Sequence, residues 1–237
     1  MTDPRSAYDR WHLAIETEAE ATSPWHALVR EHLTDLAGTQ VLEVACGRGA
    51  FALWLARQGA RQVVAADFSR SAVRAGQGLA SEGPPPVPRF AVADITALAF
   101  RENHFDLVVS CETIEHLETP VKALREMART LRPGGRLYLT TPNYLGPMGL
   151  YRVYRAATGR PYTEVGQPIN RITLLPRTLG WVRSAGLRVL AVDGVGHYLP
   201  FPGRPPMDVP LPRWLRRGAR ALALHSLVVA EKPQAAA

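Results

Sequence analysis

The sequence has very few cysteines and no long apolar run. Cys46 and Cys111 are its 2 cysteines, and neither has a partner at a metal-ligand spacing. Reduced thiols in a cytoplasmic protein explain them better than a disulfide. No apolar run reaches the roughly 18 residues that a membrane-spanning helix needs, and residues 1–11 lack the basic-then-apolar pattern of a signal peptide. We therefore expect a cytoplasmic protein, and the length of 237 residues predicts a single domain over 1–237.

Charge is unevenly distributed along the chain, although its formal total is only +7. Residues 143–237 hold 13 Lys and Arg against 4 Asp and Glu, whereas residues 1–142 hold 15 against 17. The basic excess of the later part favours an anionic substrate, a nucleic acid or a membrane surface nearby. A solvated, arginine-rich surface explains it equally well.

The segment 41–56, VLEVACGRGAFALWLA, predicts an apolar strand, a glycine turn and a helix. Gly47 and Gly49 permit backbone angles that a side chain forbids, and the helix directs its first N–H groups back at the turn. Such a unit binds a nucleotide at the carboxyl end of a parallel strand. The turn also fits a dinucleotide fingerprint, with Asp67 about 20 residues further on. Glu43 opposes that interpretation, because its carboxylate repels a pyrophosphate and suits a ligand ammonium.

Two further acids follow predicted strands. Asp67 closes the apolar segment 62–67, where it can bind both hydroxyls of a ribose, and Phe68 beside it can pack on an adenine ring. Asp94 follows the short strand predicted over 90–93. Because the carboxyl ends of parallel strands meet at one edge of a sheet, we expect these acids to lie near the glycine turn.

The pattern Glu43-x-Ala45-x-Gly47-x-Gly49 resembles the first motif of the class I S-adenosylmethionine (SAM) dependent methyltransferases, Asp/Glu-x-Gly-x-Gly-x-Gly. Ala45 replaces the first glycine, which requires a negative φ at that residue. The resemblance implies that the three strand-end acids bind the methionine, ribose and adenine parts of SAM in turn. The other cofactor contacts that it implies are Ala45, Cys46, Gly47, Gly49, Phe68, Ile95, Cys111 and Glu112.

The same resemblance implies an α/β fold, a Rossmann-like, seven-stranded and mostly parallel sheet with helices on both faces. The last strand, 226–231, then enters antiparallel between the fifth, 136–141, and the sixth, 187–192. Dinucleotide dehydrogenases lack that strand order. The motif LRPGG before the fifth strand is a further likeness to the family.

Three parts of the chain lie outside the motifs. Residues 1–37 are expected to form a helical cap, in which Tyr8 or Trp11 can line the cofactor site. Residues 142–170, long and irregular for a crossover, and residues 194–225 are expected to be insertions on the substrate side.

The segment after the fourth strand, ETIEHL, resembles the ubiquinone-biosynthesis and related small-molecule branch of the family. His116 has a near-neutral intrinsic pKa and can remove a proton from an acceptor, although a hydrogen bond to the loop backbone is an equal alternative. His197 is the second candidate base, and Tyr144 is the candidate positioning group. No carboxylate–Asn cluster indicates a catalytic magnesium, so no metal is expected.

The predicted activity is methyl transfer from SAM to a small-molecule acceptor, with S-adenosylhomocysteine as the second product. A hydroxyl on a secondary metabolite, quinone or sugar is favoured, and the arginine and proline content is typical of a GC-rich bacterial gene. RNA methylation, cofactor binding without methyl transfer and a nicotinamide dehydrogenase are the alternatives. Peripheral membrane contact through the segment 214–220 stays open, and the oligomeric state does not follow from the sequence.

Overall fold

A computed structural model of the chain describes residues 9, 21–33, 35–159, 171–199 and 206–234. Tyr8 and Trp11 lie outside the described residues. So do 160–170 of the first predicted insertion and 200–205 of the second. Within the described ranges, no helix is long and apolar enough to cross a bilayer.

Strands and helices alternate along the chain as far as its third strand, and the order is less regular beyond it. The first part contains α1 (Pro24–His32), β1 (Gln40–Val44), α2 (Ala50–Arg57), β2 (Gln62–Asp67), α3 (Arg70–Glu82), β3 (Arg89–Val92), β4 (Phe105–Cys111) and α4 (Pro120–Thr130). The second part contains β5 (Leu131–Pro142), α5 (Pro147–Ala157), α6 (Leu175–Ser184), β6 (Arg188–Val195), β7 (Tyr198–Leu199), β8 (Met207–Asp208), α7 (Arg213–Ala219) and β9 (His225–Glu231). Single 3-10 turns cover Ile114–His116 and Arg220–Leu222.

Seven of these strands form one sheet in the order β3-β2-β1-β4-β5-β9-β6. The pairs from β3 to β5 are parallel, and β9 is antiparallel to both β5 and β6. The predicted sheet and its inserted last strand are thereby confirmed. A small hairpin of β7 and β8 lies apart from this sheet.

The core lies on both faces of the sheet, because successive residues of a strand point to opposite sides. In β1, Val41 packs with α1 and α2, whereas Leu42 and Val44 pack with α4 and α6. Phe51 and Leu55 of α2 are buried against the first face. Helices therefore cover both faces, as predicted.

Two elements differ from the sequence-based expectation. The strand β5 begins at Leu131, and its register with β4 shifts between Phe105 and Leu107, which accommodates the glycine turn at Gly134. The segment after β5, expected to be irregular, contains α5 with Pro147 in its first turn. Proline suits that position because its missing N–H has no intrahelical partner there.

Candidate active site

The three predicted acids lie along the carboxyl edge of three neighbouring strands. Glu43 in β1 is paired in register with Ala65 of β2. Asp67 ends β2 opposite Val92, and Asp94 follows β3 two residues beyond Val92. The order β3-β2-β1 therefore places the acids side by side, as the sequence predicts.

Glu43 is a buried carboxyl with an unsatisfied oxygen. Its residue is only 4% exposed, and its Oε2 has no hydrogen-bond partner. Burial raises the pKa of Glu43 to about 8; the backbone N–H of Ala52 opposes that rise, and the nearby Asp67 adds to it. The ionised form is disfavoured in the protein alone, so a cation beside Oε2 would stabilise it.

Asp67 connects the glycine turn to β2. Its Oδ2 accepts the N–H of Gly47 at 2.8 Å and its Oδ1 accepts the N–H of Ser69 at 2.9 Å. Burial raises the pKa of Asp67 to about 6 against these bonds, and Asp9 raises it further. Ser69 caps α3, because its Oγ accepts the N–H of Ala72 at 3.1 Å. Ser69 therefore supplies the cap of α3, while Asp67 fixes the glycine turn.

The turn itself is tighter than the sequence indicates. Ala45, Gly47 and Gly49 have φ values of 56°, 54° and 76°, so the negative φ expected for Ala45 is wrong. The N–H of Cys46 donates to Ala66 of β2 at 3.1 Å, which extends the β1–β2 pairing while the chain reverses. A non-glycine residue in this conformation costs about 1–3 kcal/mol, which the surrounding structure must offset.

The two cysteines border the buried acid. Both are free, and burial raises the pKa of the Cys46 and Cys111 thiols well above the usual value. The negative charge of Glu43 is the next cause for both residues. They are therefore protonated packing groups near the cofactor turn.

Three further cofactor candidates, Phe68, Asp94 and Ile95, follow the ends of β2 and β3. Asp94 accepts both the N–H and the Oγ1–H of Thr96 on its Oδ1, each at 2.8 Å, which fixes the turn after β3. Ile95 is buried in the core, and Phe68 is half-buried directly after β2. Asp94 and Phe68 therefore lie on neighbouring strand ends, β3 and β2.

At the end of β4, Glu112 has a φ of 47°, which a non-glycine residue rarely adopts. Its N–H donates to the carbonyl of Thr140 at 3.0 Å and lies 3.2 Å from Oγ1 of the same residue. Its Oε2 lies 3.0 Å from Nδ1 of His225, the first residue of β9. The sequence did not indicate His225, which lies 113 residues away.

His116 lies on the 3-10 turn after β4, with its Nε2 at 3.5 Å from Oε1 of Glu115. The other oxygen of Glu115 accepts a hydrogen bond from Thr141 at 3.0 Å. The backbone N–H of His116 donates to Thr113 at 2.9 Å. His116 is therefore held beside a buried carboxylate by its own turn.

His197 follows β6, and its buried Nε2 has no hydrogen-bond partner. From β4 to β6 there are three strand steps of ~4.8 Å, so His116 and His197 lie well apart along the carboxyl edge of the sheet. Tyr144 is 5% exposed, and the Arg152 guanidinium lies over its ring at 4.5 Å from the centroid. Tyr144 is thus a buried residue just beyond the end of β5.

A second cluster that the sequence did not indicate joins α1, β6 and α7. Oδ2 of Asp193 lies 2.9 Å from Nε2 of His32 and 3.3 Å from Nη2 of Arg216. Arg216 also pairs with Glu31. Across the residues that the structure describes, no group of three or more His, Cys, Asp and Glu side chains could hold a metal ion.

The residues of the carboxyl edge fit SAM, which carries an ammonium and a sulfonium. Glu43 has an orphaned buried oxygen, and the charged neighbours that raise the pKa values of Glu43 and Asp67 are other carboxyls. A pyrophosphate would be repelled by the same groups. The strand order and this acidic edge define the class of Rossmann-like, SAM-dependent methyltransferases.

Comparisons with known proteins agree with that class. Residues 42–139 match the family model described as a methyltransferase domain. The chain is 38% identical over 163 residues to a ubiquinone biosynthesis O-methyltransferase of Xanthomonas oryzae, a match that covers 68% of this chain and 67% of that protein. The chain belongs to the class I SAM-dependent methyltransferase family, whose cofactor is SAM.

Two further similarities are less complete. Methyltransferase GfsG of Streptomyces halstedii is 37% identical over 125 residues, 52% of this chain. The chain spans only 45% of the length of GfsG. An S-adenosylmethionine dependent methyltransferase from Mesorhizobium loti superposes with a TM-score of 0.62 at 19% identity, over 86% of this chain and 96% of that one. That structural likeness shows the shared fold.

Proposed function

We propose that this protein transfers a methyl group from SAM to a hydroxyl of a small-molecule acceptor, a secondary metabolite, quinone or sugar. SAM supplies a methyl group on a positively charged sulfur and becomes S-adenosylhomocysteine. The observation that carries the proposal is the buried Glu43, whose unpaired Oε2 and raised pKa leave it in need of a cationic ligand.

The cofactor-binding roles follow the order of the strand ends. Glu43 and the N–H groups of the glycine turn hold the amino-acid part of SAM. Asp67, whose carboxylate is already fixed by two backbone N–H groups, binds the ribose hydroxyls. Asp94 and the N–H of Ile95 bind the adenine edge, with Phe68 against its ring.

The protein contributes to the reaction mainly by holding the acceptor oxygen close to the methyl group and in line with it, because the sulfonium is already reactive. Tyr144, fixed beneath Arg152, forms one wall for the acceptor. His116 and His197 are the bases that the sequence proposes, well apart along the edge. A base is needed where the acceptor hydroxyl does not ionise at the working pH.

A small-molecule acceptor is supported by the relatives, two of which are named as a ubiquinone biosynthesis O-methyltransferase and as GfsG. The basic excess of residues 143–237 is the one feature that favours RNA. Methyl transfer to RNA in a salt-sensitive manner would therefore replace this proposal.

The test has two stages. Calorimetric titration with S-adenosylhomocysteine, with NAD as a parallel control, is expected to show binding of the first ligand only. Radiolabelled SAM is then supplied with phenols and catechols, with sugars and with tRNA. Label on a hydroxyl of a phenol, catechol or sugar supports the proposal. Label on tRNA alone, or tight S-adenosylhomocysteine binding with no labelled acceptor, contradicts it.

A further inference from the structure

The contact between β4 and β9 joins a histidine and a carboxylate that the proposed function does not use. Nδ1 of His225 lies 3.0 Å from Oε2 of Glu112, and the two side chains are 13% and 15% exposed. We propose that His225 is the catalytic base that takes the proton from the acceptor hydroxyl, with Glu112 as its positioning residue. This inference rests on the proposed methyl transfer to a hydroxyl.

The topology places His225 on the acceptor side of the carboxyl edge. An antiparallel strand begins where its parallel neighbours end, and His225 at the start of β9 pairs with Pro142 of β5 and Val195 of β6. From β4 to β9 there are two strand steps of ~4.8 Å. The side chains of Glu112 and His225 therefore meet across the end of β5.

The neighbours of His225 fix its ring from the other directions. The ring of Trp25 in α1 lies 4.9 Å from the imidazole, at an interplanar angle of 47°. A Cβ on Gly196 would lie 3.2 Å from Cδ2 of His225, so the chain after β6 packs directly on the ring. Among the described residues, the acidic contact of the ring is Glu112, and His197 is the titratable residue next to Gly196 in the chain.

Glu112 is placed at an energetic cost. Its φ of 47° is maintained by the two contacts of its N–H with Thr140. Its Oε1 is buried and has no hydrogen-bond partner. Backbone strain and an unsatisfied carboxylate oxygen are seen together where a fold holds a group for function. A purely structural contact would not need either.

The chemistry of the pair sets the direction of proton transfer. An ionised carboxylate only accepts hydrogen bonds, so Nδ1 of His225 carries the proton and Nε2 carries the lone pair. When Nε2 takes the acceptor proton, the O–H electron pair stays on the oxygen, which becomes the stronger nucleophile. The ring becomes an imidazolium, whose charge Glu112 stabilises, and the proton later passes to solvent.

His116 is the competing base, and the two histidines can be compared directly. His225→Asn keeps an N–H that can donate to Glu112 but removes the basic lone pair; His104→Asn, directly before β4 at the opposite end of that strand, is the matched control. With a catechol that the parent methylates, we expect His225→Asn to lower kcat by about 10²- to 10⁴-fold. It should also lose the acid limb of the pH–rate profile, with S-adenosylhomocysteine binding unchanged. If His116→Asn loses that limb and His225→Asn keeps it, the inference is wrong.

Glu112→Gln provides a readout that does not need turnover. The neutral amide no longer stabilises an imidazolium, so the His225 ring should titrate at lower pH in NMR spectra of the S-adenosylhomocysteine complex. An unchanged titration would overturn the pairing, whatever the acceptor. If the parent methylates no acceptor, the proposed function fails, and the titration alone decides whether Glu112 controls His225. If the His225→Asn variant binds no S-adenosylhomocysteine and is less stable than the parent, a role confined to proton transfer is also contradicted.

Discussion

Buried acids of the proposed cofactor half of the sheet edge, at β1 and β2, and Asp193 of the proposed acceptor half, at β6, have pKa values shifted in opposite directions. In the cofactor half, burial raises the pKa values of Glu43 and Asp67, to about 8 and about 6. In the acceptor half, burial also acts to raise the pKa of Asp193, but the His32 hydrogen bond, the Gly194 N–H and Arg216 outweigh it and lower that pKa.

The opposite pKa shifts reflect whether a buried acid has a positively charged partner within the protein. Asp193 is neutralised by side chains of the protein, from α1 and α7. Among the described residues, Glu43 has an uncharged donor, the backbone N–H of Ala52, and an acidic neighbour, Asp67. Asp193 is thus neutralised within the folded chain, whereas Glu43 depends, in the proposed function, on the ammonium of SAM.

The largest expected effect is on the cofactor half. Asp67→Ala removes the acceptor of the Gly47 and Ser69 N–H groups and the proposed ribose ligand. We expect S-adenosylhomocysteine affinity to fall about 100-fold, because hydrogen bonds to a charged group contribute about 1.5–3 kcal/mol each. Calorimetry measures this directly. Asp106→Asn is the control, because Asp106 lies at the opposite end of the strands, bonded to the Gln40 N–H.

Asp193→Asn tests the acceptor half in the same way. It should lower the free energy of unfolding by about 1–3 kcal/mol at pH 7, because His32 and Arg216 lose a partly buried charged partner. A carboxyl with a lowered pKa stabilises the fold above its unfolded pKa, and that stability is lost as the pH falls through the folded pKa. The difference from the parent in urea unfolding should therefore vanish in acid.

The control for Asp193→Asn is Glu231→Gln, which breaks the exposed pair with Arg188. An exposed ion pair contributes about 0–1 kcal/mol, so this variant should unfold close to the parent. Equal losses of unfolding free energy for Asp193→Asn and Glu231→Gln would contradict the difference between the partly buried Asp193 cluster and an exposed ion pair.

A third prediction concerns pH and cofactor binding. Because the pKa of Glu43 is about 8, its carboxyl is mostly neutral at pH 6 in the free protein. Binding of a cation favours ionisation, so affinity for S-adenosylhomocysteine should rise by up to about tenfold per pH unit between pH 6 and 8. Calorimetry in buffers of different ionisation enthalpy should detect the released proton. Glu43→Gln should make the affinity less dependent on pH. If the variant and the parent show the same slope of affinity against pH, the released proton comes from another group.

The same carboxyl affects the free protein with the opposite sign. Its raised pKa means that its stabilising contribution is present below the unfolded pKa and is lost as the pH rises towards 8. In thermal unfolding without ligand, the stability of Glu43→Gln relative to the parent should therefore increase as the pH rises. A stability difference between Glu43→Gln and the parent that does not change with pH would contradict the raised pKa of this buried carboxyl.

The smallest expected effect is at Ala45. Ala45→Gly relieves the left-handed φ of 56° and should stabilise the fold by up to about 1 kcal/mol. Ala75→Gly, within α3, is the same substitution at a helical φ and should cost about 0.5–1 kcal/mol. Two changes of the same sign in thermal unfolding would show that the turn is not strained.

The sequence predicts the placement of the three strand-end acids well because its signals are local. Glu43, Asp67 and Asp94 each lie at or near the end of an apolar strand, and parallel pairing then brings them together. The pair of Glu112 and His225 depends on where β9 inserts, 113 residues along the chain. One signal was present: an antiparallel strand predicted at 226–231 begins at the carboxyl edge, so the residue before it lies at that edge.

Other features could not be predicted for similar reasons. The φ of Ala45 depends on the hydrogen bond between Cys46 and Ala66 of the next strand, which no local pattern encodes. The Asp193 cluster joins three elements distant in sequence. By contrast, α5 had a local signal in Gly146-Pro147, since proline favours a first helical turn.

The position of β9 also determines how the molecule should open. The edge strand β6 is bonded to the sheet through β9, whereas β1 to β5 are joined by their own parallel pairs. Amide hydrogen exchange should therefore release β6 and β9 together and earlier than the central strands, as one cooperative unit. The proposed acceptor side would then unfold and refold as one unit, while β1, β2 and β3, the strands of the proposed SAM site, stay folded.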